Sequence, residues 1–168
     1  MPSVRLETPE DIEAIRRVNR LAFGESGEAD LVDSLRARGV ATISLVAQQE
    51  SLIVGHILFS PAAIEGDSGK QGLGLGPMAV LPEFQNRGIG SRLVRAGLDC
   101  CRDRGHTWVV VLGHATYYPR FGFIPASKFG LRCEYDVPDE VFMAIELREG
   151  ALKGRGGLVK YQPEFNEV

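Results

Sequence analysis

The sequence predicts a mixed α/β fold, with a central, mostly antiparallel sheet and helices on both faces. Two apolar, β-branched runs flank a short polar turn, which is typical of a β-hairpin. A long amphipathic pattern lies between a strand and a continuous apolar run, as in a β–α–β unit. No repeat or domain boundary is visible in the 168 residues, so we expect one domain over residues 1–168.

A short strand and two helices are expected first. Strand Val4–Leu6 precedes Thr8, a favourable N-cap, and Pro9, which suits the first helical position. A second helix should cover Ala29–Arg38, and Gly39 should end it. Apolar residues with helical spacing predict the buried face of the first helix: Ile12, Ile15, Val18, Leu21 and Ala22.

Three strands should follow, and the third is unusual. Residues 41–66 predict a hairpin whose turn is Gln48–Ser51. The third strand, "LGLGPMAV" at residues 73–80, contains Gly76 and Pro77. Because proline cannot donate to a sheet ladder, we expect a bulge or a local splaying of strands there.

The strongest helical pattern covers Ile89–Arg104, and it is followed by the β-rich half of the chain. The apolar run "TWVVVLG" at 107–113 suits a strand buried on both faces. A short helix or turn comes next, a strand restarts at Phe123, and "EVFMAIEL" at 140–147 is expected to be the last strand. The glycine-rich tail, residues 149–168, should pack along the surface.

Composition excludes several classes of function. Hydrophobic residues make up 44% and charged residues 24%, a normal globular balance. The net charge of −3 argues against a mainly electrostatic nucleic-acid binder. No apolar run approaches the roughly 20 residues that span a bilayer, and no secretory signal is apparent. Three cysteines form neither a disulfide framework nor a zinc set, so we expect a reduced, cytoplasmic protein without metal or membrane partner.

The start of the strongest helix is a candidate anion site. The first N–H groups of a helix lack internal partners and carry positive dipole character. Gly88 and Gly90 would let a phosphate reach the N–H groups of residues 87–91, and Arg87 adds charge. The phosphate loop that needs Lys-Ser/Thr, and the dinucleotide fingerprint with three glycines, both match poorly.

The motif "QNRGIG" within "MAVLPEFQNRGIGSRLV" resembles the GNAT superfamily of acyl-CoA-dependent N-acyltransferases. The resemblance implies the GNAT fold, with acetyl-CoA as acyl donor. It implies that Arg87 to Ser91 hold the coenzyme pyrophosphate, and that the backbone of residues 78–80 pairs with the pantetheine arm like an added strand. The implied cofactor-binding residues are Met78, Ala79, Val80, Gln85, Asn86, Arg87, Gly88, Ile89, Gly90 and Ser91.

A tyrosine downstream extends the resemblance, which covers essentially the whole chain and is densest over residues 73–125. In "YYPRFGF", Tyr118 stands four residues before Gly122, in the position where GNAT members carry a catalytic tyrosine. A phenol with a pKa of about 10 is protonated at neutral pH. The resemblance therefore implies that Tyr118 is the general acid that protonates the departing thiolate.

The general base is less defined by the sequence. An attacking ammonium must lose a proton, and Glu28, between the first two helices, is the candidate because that segment borders the acceptor site in the family. Glu134, His114 and water are alternatives. His56, inside an apolar run, is interpreted as a hydrogen-bonded core histidine.

The function that this resemblance implies is acetyl transfer from acetyl-CoA to a primary amine by direct attack. A small-molecule amine is favoured as partner, and a protein amine is the alternative. The competing hypotheses are a non-catalytic acyl-CoA-binding sensor and an unrelated nucleotide-binding module. Dimers are common in this fold, so a homodimer stays open.

Overall fold

The computed structural model describes residues 1–168, and the chain has the predicted mixed α/β fold. It contains three α-helices and nine strands, and most strand pairs are antiparallel. The chain divides into two compact units. The first unit comprises residues 1–60, 76–100 and 163–168, and the second comprises 61–75 and 101–162.

The first unit contains the N-terminal hairpin and the helices. Strand β2 pairs antiparallel with β1 on one side and with β3 on the other, and β4 neighbours β3. The hairpin turn, the end of the second helix near Gly39 and the long helix after β4 all lie where the sequence predicts them. The elements that lie wholly or partly in this unit are β1 (Ser3–Leu6), α1 (Ile12–Phe23), α2 (Gly27–Ala37), β2 (Ile43–Gln49), β3 (Leu52–Ile64), β4 (Gly72–Val80) and α3 (Ile89–Asp103).

Helices cover both faces of β3 within this unit. Successive strand residues point to opposite sides, so neighbouring residues of β3 contact different helices. Gly97 of α3 lies so close to Phe59 that a Cβ built there would be 2.5 Å from the ring. Ile57 is its next neighbour on the same face. On the other face, His56 contacts Asn19 of α1 across 3.1 Å. The helix arrangement predicted from the sequence is therefore confirmed here.

The first helix differs from its prediction at two points. Residues Pro9–Asp11 form a 3-10 turn before α1, and the Asp11 carboxylate accepts the Thr8 N–H at 2.7 Å. Leu21, expected on the buried face, is 41% exposed, whereas the polar Asn19 is fully buried. The prediction for Leu21 is wrong because a hydrogen bond to His56 compensates the burial of Asn19, which a hydrophobicity pattern does not register.

The second unit contains the remaining strands, centred on β5. Strand β5 pairs antiparallel with β8, which also pairs with β6. On its other side β5 pairs parallel with Leu73–Leu75 of β4, and this pairing stops before Gly76 and Pro77. The predicted interruption of the third strand is thus confirmed. The elements are β5 (Trp108–Leu112), β6 (Ile124–Pro125), β7 (Leu131–Cys133), β8 (Phe142–Glu146) and β9 (Gly157–Lys160).

The tail does not lie along the surface as the sequence predicts. Strand β9 pairs parallel with β7 and antiparallel with Ala63–Ile64 at the end of β3. Val159 is fully buried, and Tyr161 is only 8% exposed. Strand β8 is therefore not the last strand. Strands β7 and β9 were not predicted because both are short and each directly follows a glycine, a residue that usually marks a turn or loop.

The helices of this chain lack an apolar stretch of the length needed to span a bilayer. All three cysteines are free thiols, and Cys101 is buried whereas Cys100 and Cys133 are partly exposed.

Candidate active site

The turn between β4 and α3 is held in place by its own hydrogen bonds. The Gln85 side chain donates from Nε2 to the Val80 carbonyl oxygen at 2.9 Å. The Leu81 N–H donates to the Val54 carbonyl at 2.9 Å, which ties the end of β4 to β3. Gln85 therefore fixes the last residue of β4 relative to the turn, a positioning role that the sequence did not predict.

The exposed part of this turn carries the predicted anion-binding residues. Asn86 (φ +63°) and Gly88 (φ +83°) both have left-handed backbone conformations, which asparagine and glycine tolerate best. The Arg87 guanidinium lies 5.3 Å from the centre of the Phe84 ring, a cation–π contact. Ile89 is buried and anchors the start of α3.

The first turn of α3 leaves backbone donors outside the helical ladder. The Arg92 N–H donates to the Gly88 carbonyl at 3.1 Å. The amides that precede Arg92 belong to the first turn, whose N–H groups have no acceptor four residues earlier within the helix. Those amides lie at the positive end of the helix dipole, next to exposed Arg87. An anion with several oxygens is the chemical group that this arrangement suits best.

The end of β4 alternates between buried and accessible residues. Ala79 is 3% exposed, whereas Met78 and Val80 are both partly exposed. Beyond Leu75 the parallel pairing with β5 has ended, so the backbone at Met78–Val80 is not part of that ladder. An extended backbone of this kind is what an added strand-like ligand requires.

Glu28 lies in the first turn of α2, not in the loop between the two helices as the sequence predicts. The α2 helix begins two residues before the predicted start, at Gly27. The Glu28 side chain is half-buried, and its Oε1 atom is buried without a hydrogen-bond partner. Burying an unpaired carboxylate oxygen is costly, so this atom is suited to accept a hydrogen bond from a bound molecule.

The core-histidine interpretation of His56 is confirmed. Asn19 Nδ2 can only donate, so the Nδ1 atom of His56 accepts its hydrogen bond. The ring proton is therefore on Nε2, which donates to Ser44 Oγ at 2.9 Å. Ser44 in turn donates to the Glu7 carboxylate. Burial, followed by the charge of Arg36, lowers the pKa of His56 to about 3, so the ring is neutral. This chain of hydrogen bonds has a structural role, because Asn19, Ser44 and His56 are all buried. Only the Glu7 carboxylate at its end is partly exposed.

The tyrosine predicted to be the acid lies on a 3-10 turn in the second unit. Tyr118 begins the turn Tyr118–Phe121, and its N–H points to the His114 carbonyl at 3.4 Å. Its ring is only 7% exposed and meets the rings of Tyr117 and Phe123 edge-on, with centroid distances of 5.1 and 5.7 Å.

The Tyr118 ring occupies space that is open only because residue 113 is a glycine. A Cβ built at Gly113 would lie 2.2 Å from Cε2 of Tyr118, well inside van der Waals contact. Burial, followed by the charge of Tyr117, raises the pKa of Tyr118 to about 12. The phenol is therefore protonated throughout the physiological range and can serve as a proton donor.

The alternative bases have different surroundings. Glu134 accepts the backbone N–H of Tyr161 through its Oε2 atom, so this carboxylate has a structural role beside β9. His114 is exposed, and its carbonyl oxygen accepts the N–H groups of Tyr117 and Tyr118. No group of three or more His, Cys, Asp or Glu side chains is placed to hold a metal ion.

Comparison with known proteins identifies the family. A model of the acetyltransferase (GNAT) domain matches residues 41–125, which include β4, the turn and Tyr118. The chain is also 37% identical to the N-acetyltransferase YhbS of Escherichia coli over 164 residues, 97% of this chain and 98% of YhbS. The chain belongs to the GNAT family of acetyltransferases. The predicted fold and family are thus confirmed.

Further GNAT relatives extend this result. The chain is 46% identical to the Escherichia coli N-acetyltransferase YjhQ over 134 residues, 77% of this chain and 74% of YjhQ. The crystal structure of YhbS, solved in complex with CoA, has a TM-score of 0.94 and covers 98% of this chain and 92% of that one, at 36% identity. A GNAT acetyltransferase from Brucella melitensis, in complex with acetyl-CoA, has a TM-score of 0.83 at 35% identity and covers 98% of both chains.

Proposed function

We propose that this protein is an acetyl-CoA-dependent N-acetyltransferase that transfers the acetyl group to a primary amine by direct attack. The whole of residues 1–168 is proposed to act as one GNAT domain. The observation that carries the proposal is the exposed turn Gln85–Gly88, which leads directly into the first turn of α3. Family membership and the coenzyme complexes of two relatives support the same assignment.

The coenzyme is assigned to the first unit. The amides of residues 87–91 and the Arg87 side chain would bind the pyrophosphate, where each hydrogen bond to an ionised group contributes about 1.5–3 kcal/mol. The backbone of Met78, Ala79 and Val80 would pair with the pantetheine arm, and Gln85 keeps the Val80 carbonyl in place. Asn86 and Gly88 supply the left-handed conformations that shape the turn.

Tyr118 is assigned the proton transfer to the leaving group. As the amine nitrogen bonds to the acetyl carbon, the carbon–sulfur bond breaks and the thiolate of the coenzyme needs a proton. The Tyr118 phenol, with its pKa near 12, is protonated at neutral pH and would donate its proton to the sulfur. The proton is restored from solvent after the products leave.

Glu28 is the proposed base that removes the proton from the incoming ammonium. Its buried Oε1 atom has no partner within the protein, so a bound ammonium would supply one. The carboxylate of Glu134 already accepts a backbone N–H, which makes it the weaker candidate, and His114 is exposed. A small-molecule amine is the proposed acceptor, with a protein amine as the alternative.

Acetyl transfer is tested by measuring thiol release from acetyl-CoA with spermidine, L-lysine and a tripeptide with a free N-terminus. We expect saturable release with at least one amine, and Tyr118→Phe should lower kcat by about 10²–10⁴-fold. Tyr117→Phe is the matched control, because it removes a neighbouring phenol oxygen and should leave kcat within about twofold. Tight acetyl-CoA binding without transfer to any amine would support the sensor hypothesis instead.

A further inference from the structure

The C-terminal segment, residues 163–168, packs along α2 at both ends of that helix. At the end of α2, Arg38 and Glu164 form a two-point ion pair, with Nε–Oε2 and Nη2–Oε1 distances of 2.5 and 2.8 Å. These residues are 126 positions apart in the sequence. The segment therefore joins the chain end to an element formed near its beginning.

The opposite end of the segment meets the start of α2. A Cβ built at Gly27 would lie 3.3 Å from Cγ1 of Val168, so the last residue of the chain lies against the first residue of the helix. The segment thus runs antiparallel to α2, from Arg38 back to Gly27. Two contacts at opposite ends of a helix restrain both its position and its rotation.

Glu28, the residue immediately after Gly27, carries the buried carboxylate oxygen without a partner. We infer that residues 163–168 are a positioning segment that holds α2 so that Glu28 meets the acceptor amine. This inference rests on the proposed function, because it assigns the segment to the acceptor side of that reaction. Loosening the segment should therefore weaken use of the amine and leave acetyl-CoA binding unchanged.

The ion pair suits a restraint of moderate strength. The Glu164 side chain is 16% exposed and that of Arg38 is 51% exposed, so water screens the pair only in part. Exposed pairs of this kind change equilibria by about two- to fivefold. The Arg38 guanidinium lowers the pKa of Glu164, so the pair is fully formed at neutral pH.

The test compares three variants in the full chain: Glu164→Gln, the charge reversal Arg38→Glu with Glu164→Arg, and Glu167→Gln as the matched control. Glu167 is an exposed carboxylate of the same segment. The first readout is KM for spermidine, or for whichever panel amine is acetylated best, and KM for acetyl-CoA. We expect Glu164→Gln to raise KM for the amine about two- to fivefold, with KM for acetyl-CoA unchanged. The charge reversal should restore KM for the amine, and Glu167→Gln should leave it unchanged.

Hydrogen exchange of α2 provides a second readout that needs no substrate. The Asp30 amide, which donates to Ser26 at 2.8 Å, should exchange faster in Glu164→Gln than in wild type, and the charge reversal should restore slow exchange. Unchanged amine KM and unchanged α2 exchange would overturn the inference, as would an equal rise of both KM values. Absence of acetyl-CoA binding in wild type would refute the proposed function, and α2 exchange would still decide whether the segment restrains α2.

Discussion

Substituting Gly113 by alanine tests whether the position of the Tyr118 ring matters for catalysis. The new Cβ would lie 2.2 Å from Cε2 and 2.8 Å from Cδ2 of the ring, whereas ordinary contacts begin at 3.4 Å. The ring must therefore retreat by about 1.2 Å. A misplacement of about 1 Å at a reacting group lowers rates by about 10²-fold. We expect kcat to fall by that order, with a loss of about 1–3 kcal/mol in unfolding free energy from overpacking.

Gly72→Ala is the control for the packing effect. Its Cβ would lie 2.3 Å from Cδ2 of Trp108, a comparable clash with another buried ring in the same unit. We expect Gly72→Ala to lower stability similarly while the folded enzyme keeps its kcat. Thiol release at saturating acetyl-CoA and amine, together with urea unfolding, measures both quantities.

A double variant separates the hydroxyl from the ring. If Gly113→Ala acts by displacing the Tyr118 oxygen, it should cost almost no further activity in a Tyr118→Phe background. Two independent losses that multiply in the double variant would refute this reasoning. So would a Gly113→Ala enzyme that keeps wild-type kcat despite its lower stability.

Three further predictions follow from the same geometry. Because the pKa of His56 is about 3 in the folded state and near 6.5 when unfolded, its contribution to stability is present above pH 6.5 and is lost as the pH falls. Urea unfolding should therefore show a loss of about 2 kcal/mol between pH 6.5 and 4.5, which His56→Gln abolishes. An equal loss in the variant would contradict this prediction. The pKa of Tyr118 near 12 predicts a kcat that does not fall through Tyr118 ionisation between pH 9 and 10.5. An alkaline limb near pH 10 that Tyr118→Phe removes would contradict this raised pKa. Gly88→Leu should weaken CoA binding measured by calorimetry, whereas Gly150→Leu, at a similar positive φ, should cost only stability; equal CoA affinities in both variants would argue against the anion site.

Local patterns were sufficient to predict the elements on either side of the turn Gln85–Gly88. The amphipathic spacing of α3 predicted its boundaries within one residue, because a buried helix face repeats every three to four residues. The end of the pairing after Leu75 could be predicted because proline cannot donate a hydrogen bond to a sheet ladder. The roles proposed for Arg87 and Tyr118 come from the family resemblance, because no periodicity indicates them.

Features that depend on distant residues could not be predicted. Nothing near Asn19 in the sequence signals His56, which compensates its burial from another element. The pairing of β9 with β7 and β3 joins segments far apart in sequence. Arg38 and Glu164 are both common surface residue types, so their ion pair has no local signal. The buried oxygen of Glu28 likewise becomes evident only once α2 is packed.

The most direct test of the central claim is a thermal-shift titration of the wild-type protein with acetyl-CoA, CoA, ATP and NAD. A ligand at 100 times its Kd stabilises the folded state by about 2.7 kcal/mol, which raises Tm measurably. We predict saturable shifts with acetyl-CoA and CoA, and none with ATP or NAD at the same concentrations. No shift with CoA, together with one for ATP or NAD, would contradict the assignment of Arg87 to Ser91 to the coenzyme, and the role of Tyr118 would fall with it.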